Sequence, residues 1–218
     1  MYSPVWLFTC SFTIFIAGII ALIRFKKINK IYYPFLFCLW IACINELVSF
    51  ILYLNHSTSS VNSNFYILFE ALLITIFLRN FKILKKPKYL FHLILISLII
   101  VWVFEILYLG KISATLIFFR VFYSFIIVLM SITYLNVLIG SSRKIKIKNS
   151  DFLLCLGFIF YFTYKVLVHS FWLYGSKSSL GFLLKLFTIM IYINLLANLI
   201  YALAVLWMPR KIEYTQPY

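Results

Sequence analysis

Seven long apolar segments, separated by short polar linkers, restrict the fold of this chain more than any other feature. Most of them reach the length of about 20 residues that a helix needs to cross the hydrocarbon core of a bilayer. No segment alternates apolar and polar residues for long enough to indicate a membrane β-barrel. The sequence therefore predicts an all-α polytopic membrane protein, with residues 1–218 forming a single bundle of seven transmembrane helices. The predicted spans are 5–23, 31–54, 64–79, 89–109, 113–140, 151–174 and 180–207.

The composition excludes the main alternatives. Hydrophobic residues make up 65% of the chain and charged residues 11%, whereas soluble domains average about 45–50% and about 25%. A soluble domain, a disordered chain, a collagen and a disulfide scaffold are therefore all excluded. The four cysteines lie within apolar segments and are expected to act as small hydrophobic residues. No metal site is predicted, since the closest pair, Cys38 and Cys43, point about 140° apart on a helix.

The linkers alternate in charge, and this predicts the orientation. The linkers of one side, with the C-terminal segment, carry 15 Lys and Arg residues, and the linkers of the other side carry only Lys111 and Lys177. By the positive-inside rule the N-terminus lies outside and the C-terminus in the cytoplasm. The third span has the shortest apolar segment, but it must also cross. The linker after the first span and the linker after the third span are both strongly basic, and they lie on the same side only if the second and third spans both cross. The 15 residues are Arg24, Lys26, Lys27, Lys30, Arg79, Lys82, Lys85, Lys86, Lys88, Arg143, Lys144, Lys146, Lys148, Arg210 and Lys211.

The same basic residues indicate which partners the chain contacts. We expect them to lie against anionic lipid of the inner leaflet. No nucleic-acid partner is predicted, because they are spread over four short segments without a binding motif. A protein partner or a homo-oligomer stays open.

The residue usage and the first span bear on localisation. Few Ala and Gly residues with many Ile, Lys, Asn, Phe and Tyr residues are typical of an AT-rich genome. This favours a bacterial inner membrane, with a eukaryotic membrane as the alternative. No basic region precedes the first span, so we expect a retained helix rather than a signal peptide.

Ionisable side chains within the spans are the candidates for function, because burying them in a membrane is expensive. Counted along the helices, all of them fall in the outer half of the predicted bilayer. Three are acidic and three are basic, and a histidine joins them. They are Glu46, Glu70, Glu105, Arg120, Lys165, Lys185 and His169.

Helical spacing groups these side chains with aromatic and hydroxyl residues on single helix faces. Tyr161, Lys165 and His169 follow one another at intervals of four residues, which is one stripe of a helix. We expect such stripes to face inward and to line an outward-open polar cavity. A second polar face on the last span, formed by Asn194, Asn198 and Tyr201, lies nearly opposite Lys185 and predicts interhelical hydrogen bonds or a path to the inner side. The predicted ligand-binding residues are Glu46, Glu70, Glu105, Arg120, Tyr123, Tyr161, Lys165, His169, Lys185 and Tyr192.

Several functions are compatible with this pattern. The favoured hypothesis is a carrier or ligand sensor for a small zwitterionic or amphipathic molecule, with the acids holding an amine and Arg120 or a lysine holding a carboxylate or phosphate. One alternative is an intramembrane enzyme acting on lipid or lipid-linked substrates, with His169, Glu46 or Glu70 as acid or base. Further alternatives are an accessory subunit and a purely structural ion-pair network. No cofactor is predicted.

Overall fold

A computed structural model describes residues 4–80, 88–109, 112–141, 149–174 and 180–210 of the chain. These residues are almost entirely helical, and no strand occurs among them. The α-helices are α1 (Pro4–Ser11), α2 (Ile14–Arg24), α3 (Tyr33–Leu54), α4 (Ser60–Asn80), α5 (Lys88–Leu109), α6 (Ile117–Ser141), α7 (Ser150–Tyr174) and α8 (Leu180–Trp207).

Seven helical segments of the described chain are long and apolar enough to cross a membrane. This confirms the prediction of a helical chain with seven segments of membrane-spanning length and composition. Their limits are Phe8–Lys27, Lys30–Leu54, Ser60–Asn80, Tyr89–Leu109, Ile117–Gly140, Ser150–Leu173 and Leu184–Trp207.

The first span is interrupted, where the sequence predicts one continuous helix. Between α1 and α2 the backbone forms tighter bonds, such as Phe15 N to Phe12 O at 3.0 Å. The Thr13 hydroxyl donates to the Cys10 carbonyl at 2.7 Å and accepts from Asn198 Nδ2 at 3.0 Å. The threonine thus bonds to its own backbone and to α8, and such local side-chain bonds compete with a regular helix.

The boundaries of the third and fifth spans also differ from the prediction. The helix α4 begins at Ser60 rather than at residue 64, and its first turn is polar. Asn62 Nδ2 donates to Asn45 Oδ1 at 2.9 Å, so this polar turn is held by α3. The helix α6 begins at Ile117 rather than at residue 113. The chain before it is held by Asn64 Nδ2, which donates to the Ala114 carbonyl at 2.7 Å.

The helices do not contribute equally to the core. Strong packing joins α6 to α7, α7 to α8, α3 to α4 and α2 to α8, whereas α5 has weaker packing, along α4 and α6. The centre is aromatic: the Phe35 ring lies 5.5 Å from Phe77, 5.8 Å from Phe158 and 5.6 Å from Tyr201, measured between centroids. Such contacts add packing specificity to the burial of apolar surface.

One end of the bundle, here called the basic end, is tied together by polar contacts. Arg24 donates through Nη1 to the Val205 and Leu206 carbonyls and through Nη2 to the Met208 carbonyl, so it caps the C-terminus of α8. A cation is favourable there because the last carbonyls of a helix carry partial negative charge. Asn80 Nδ2 donates to the Ile31 carbonyl at 3.1 Å. These contacts bring the residues that follow the first, third and last spans together.

A half-buried carboxylate completes the basic end. Asp151 Oδ1 accepts from the Tyr32 hydroxyl at 2.5 Å, and Asp151 Oδ2 accepts from the Tyr134 hydroxyl at 2.8 Å. The bonds join the residue immediately before α3 to α6 and α7. Of the basic residues counted from the sequence, Lys82, Lys85, Lys86, Arg143, Lys144, Lys146, Lys148 and Lys211 lie outside the described residues.

Candidate functional site

A cavity of about 80 Å³ lies within the bundle, between the helices of the first span, α3, α4, α7 and α8. One water needs about 10–15 Å³ of such space, so the cavity holds several waters or a small ligand group. Its polar lining residues are Ser11, Cys38, Glu46, Tyr66, Glu70, Tyr161, Asn194, Asn198 and Tyr201. Its apolar lining residues are Ile14, Phe35, Leu39, Ala42, Ile74, Phe158 and Phe162.

Glu70 lines this cavity, and its carboxylate accepts hydrogen bonds from three side chains of the bundle. It lies midway along α4, deeper than the outer position that the sequence predicts. Its Oε1 accepts from the Tyr66 hydroxyl at 2.9 Å. Its Oε2 accepts from the Tyr123 hydroxyl at 2.5 Å and from Lys165 Nζ at 3.1 Å. A buried charge is tolerated when it is both paired and hydrogen-bonded, so Glu70 and Lys165 join α4, α6 and α7.

Lys165 is enclosed by aromatic rings as well as paired. Only 3% of its surface is exposed. Its Nζ lies 5.1 Å from the Tyr123 ring centroid, 5.0 Å from that of Tyr161 and 5.4 Å from that of Phe162. The quadrupoles of such rings attract a cation. Lys165 and Tyr123 are therefore close to the cavity but belong to the supporting network rather than to its lining.

Glu46 is the second carboxylate in the cavity wall, and its surroundings differ. It lies on α3, is half-buried, and has the side chains of Ser11 and Asn45 beside its carboxylate. Among the described residues, the salt bridge found is that of Lys165 with Glu70, so no described cation pairs with Glu46. An ionisable side chain within a membrane span and without a counter-charge is a candidate for contact with a ligand.

The amide face of α8 lines the same cavity, which corrects one prediction. The sequence places Asn194, Asn198 and Tyr201 on a face separate from the Lys185 stripe and assigns the cavity to the latter. The structure turns the amides toward Glu46 and Glu70 and leaves Lys185 exposed. A lysine near the end of a helix can extend its ammonium toward the interface, so it does not need an inward position.

Gly157 fixes the place of Tyr201 in the cavity wall. A Cβ atom at Gly157 would lie 2.7 Å from Tyr201 Cε1, a separation that real Cβ atoms do not adopt. The absence of a side chain on α7 therefore lets the Tyr201 ring lie directly against that helix.

Glu105 and Arg120, both predicted ligand residues, have structural partners outside the cavity lining. The Glu105 carboxylate accepts from Phe118 N at 3.0 Å and Phe119 N at 2.6 Å, so it caps the N-terminus of α6 from α5. The first N–H groups of a helix have no partner within the helix and favour a negative charge. Arg120 Nη2 donates to Ser63 Oγ at 2.7 Å and joins α6 to α4.

The remaining predicted residues are also separated from the cavity. His169 is buried, and its Nδ1–H donates to the Lys165 carbonyl at 2.8 Å. Tyr192 is 44% exposed and lies on the outside of α8. Of the predicted ligand residues, the structure therefore brings Glu46, Glu70 and Tyr161 together at the described lining.

The catalytic alternative finds no assembled group of residues in the described part of the chain. A serine nucleophile with His169 as its base would require a hydrogen bond from Ser124 or Ser131 to the imidazole. No such bond is formed, and both buried hydroxyls have no partner among the described residues. No three His, Cys, Asp or Glu side chains lie close enough to hold a metal ion in that part of the chain. A zinc ion held by His169, Glu46 and Glu70 would require these three side chains to converge, and they do not do so among the described residues.

Several cavity residues were not among the predicted ligand residues. Ser11 and Cys38 are isolated small polar residues in apolar segments, and nothing in their spacing distinguishes them from residues that only pack in the core. Tyr66 was detectable, because it lies one helical turn before Glu70 and its hydroxyl bonds to that carboxylate.

Comparison of the chain with protein-family models, with curated proteins and with solved structures gave no match.

Proposed function

We propose that the protein binds a small amphipathic molecule through an ammonium group, as a carrier or a ligand sensor. The observation that carries this proposal is the Glu46 carboxylate, which lines a polar cavity inside the membrane-spanning bundle without a described cationic partner. A bound ammonium group supplies the missing counter-charge. A charge-assisted hydrogen bond in such a setting is about twice as strong as a neutral one.

The composition of the lining favours an amine over an anion. Its carboxylates are those of Glu46 and Glu70. The neighbouring hydroxyl and amide groups, on Ser11, Tyr161 and Asn194, accept hydrogen bonds as well as donate them. Lys165 is committed to Glu70, and Arg120 donates to Ser63. The group that would hold the anionic end of a zwitterion is thus not part of the described lining. We therefore narrow the ligand to a molecule whose recognised group is cationic.

The proposed setting is a bacterial inner membrane, with the basic end of the bundle in the cytoplasm. Four exposed basic residues at that end support this orientation under the positive-inside rule. They are Lys26, Lys27, Lys30 and Arg210. Labelling of intact cells with a membrane-impermeant maleimide tests it. We expect Ser57→Cys to react from outside and Lys26→Cys to react only after permeabilisation. The reverse pattern would place the N-terminus in the cytoplasm.

Binding of small charged probes tests the function. The purified protein in lipid nanodiscs is titrated with propylammonium, glycine and acetate, and binding is measured by isothermal titration calorimetry. We expect propylammonium to bind best and acetate not to bind. Glu46→Gln should weaken propylammonium by more than about tenfold, the effect of losing about 1.4 kcal/mol. Glu105→Gln is the matched control, because Glu105 is a buried carboxylate that caps α6 and should leave binding unchanged. Equal binding by both variants would overturn the proposal.

Uptake into vesicles separates a carrier from a sensor. Asn198 and Tyr201 extend the cavity wall along α8 toward the basic end, which is where a carrier needs its second opening. A carrier should accumulate labelled alkylammonium in proteoliposomes and lose that uptake with Glu46→Gln. A protein that binds the probe without moving it is a sensor.

A further inference from the structure

A groove on the outside of the bundle adjoins the cavity. It has a volume of about 470 Å³ and lies between α1, α7 and α8. Most of its lining is apolar, formed by Phe8, Phe187, Met190 and Ile191. It is called the lateral groove below.

The lateral groove and the cavity share part of their walls. Ser11, Tyr161 and Asn194 line both. These three residues are polar, and none is fully buried. Ser11 also lies beside the Glu46 carboxylate. The polar end of the groove therefore adjoins the Glu46 carboxylate, which has no counter-charge among the described residues.

The position of the groove along the helices decides what it faces. Asn194 lies midway along α8 and Tyr161 midway along α7. Phe187 lies two turns from Asn194, so the apolar part of the groove extends about 10 Å toward the end opposite the basic end. All of it falls within helices that are long and apolar enough to cross a membrane. The groove therefore faces hydrocarbon rather than water.

We infer that the ligand is a single-chain amphiphile that reaches Glu46 sideways from the bilayer. Its ammonium group lies in the cavity at Glu46, and its hydrocarbon chain lies in the lateral groove. The charge of the cavity matches the head group, and the apolar lining of the groove matches the chain. This inference rests on the proposed function and adds the class of ligand and its route.

Two probes and two tryptophan variants test the inference. Tritiated propylammonium and decylammonium are bound to the protein in nanodiscs, and binding to empty nanodiscs is subtracted. Ile191→Trp fills the groove. Ile189→Trp is the matched control, because it makes the same substitution two residues away, at a side chain that is 46% exposed and does not line the groove. A decylammonium with a photoreactive diazirine at the chain end locates the chain.

The expected result separates the two probes. Measured against the probe concentration in water, wild type should bind decylammonium at least about tenfold more tightly than propylammonium, since each methylene transferred from water contributes about 0.8 kcal/mol. Ile191→Trp should remove that advantage and leave propylammonium binding unchanged, whereas Ile189→Trp should change neither. The cross-links should fall on Phe187, Met190 or Ile191.

Other outcomes overturn one of the two proposals in a distinguishable way. Decylammonium binding that survives Ile191→Trp, or cross-links outside the groove, would overturn the lateral route while propylammonium binding sensitive to Glu46→Gln keeps the proposed function. Binding of either probe that Glu46→Gln leaves unchanged would overturn the proposed function itself. So would failure of wild type to bind either probe.

Discussion

Two carboxylates line the same cavity, and their surroundings are opposite. Glu70 on α4 accepts from two tyrosines and from Lys165, so its charge is compensated inside the bundle. Glu46 on α3 has the neutral Ser11 and Asn45 side chains beside its carboxylate, and no described cation pairs with it. In the wall formed by α4 and α7, the buried charges are thus paired with each other and hydrogen-bonded. In the wall formed by α1, α3 and α8, the Glu46 carboxylate has no counter-charge among the described residues.

The difference teaches that an intramembrane charge is not by itself a functional site. The sequence treats Glu46, Glu70, Glu105, Arg120 and Lys165 as one set, because all are expensive to bury. In the structure, pairing accounts for Glu70 and Lys165, and helix capping accounts for Glu105. The contacts of each group therefore decide between a structural role and a role toward a ligand.

The largest expected effect comes from breaking the compensated network. Lys165→Met should lower the free energy of unfolding by about 3–5 kcal/mol, because it leaves the buried Glu70 carboxylate unpaired. The double variant with Glu70→Gln should recover most of that loss. Thermal unfolding in detergent measures both, with the exposed Lys185→Met as control. A double variant less stable than Lys165→Met would show that the pair is not the source of the loss.

The next effect tests the shape of the cavity without touching either carboxylate. Gly157→Ala should destabilise the protein by about 1–3 kcal/mol, because the added Cβ collides with the Tyr201 ring. It should also weaken propylammonium binding as Tyr201 moves. Gly140→Ala is the matched control on a helix, because no described residue of another element lies within 4 Å of the added Cβ. Equal unfolding temperatures for the two variants would contradict the close approach of α7 and α8.

A third carboxylate tests capping separately from pairing. Glu105→Gln should lower the free energy of unfolding by about 1 kcal/mol, since the amide loses the charge that the N-terminus of α6 favours. Tyr108→Phe, at an exposed position of α5, should have no effect. The same unfolding measurement applies. A loss as large as that of Lys165→Met would mean that Glu105 compensates a buried cation as well.

The smallest effect on stability is expected at the candidate site. Glu46→Gln should leave the free energy of unfolding unchanged or raise it by about 1 kcal/mol, because a group kept for a ligand is not optimised for folding. Its binding of propylammonium should nevertheless weaken by more than about tenfold. A destabilisation comparable to that of Lys165→Met would place Glu46 in a structural network and remove the basis of the proposed function.

The sequence alone determined the helical class and the seven apolar segments, because both follow from length and hydrophobicity along the chain. It also marked Glu46, Glu70 and Tyr161 as candidates, since polar groups in apolar segments are conspicuous. It did not determine the break at Thr13 or the start of α6, because those depend on bonds from Asn198 and Glu105 on other helices.

Only the tertiary structure decided which side chains share the cavity. Helical periodicity gives the relative direction of residues on one helix, but not how that helix is rotated against its neighbours. The sequence therefore assigned the cavity to the Lys185 face of α8, whereas packing at Gly157 and the Asn198 bond to Thr13 place the amide face inward. For the same reason the sequence could not tell Glu46 from Glu70, because their difference lies in the donors that other helices bring to each carboxylate.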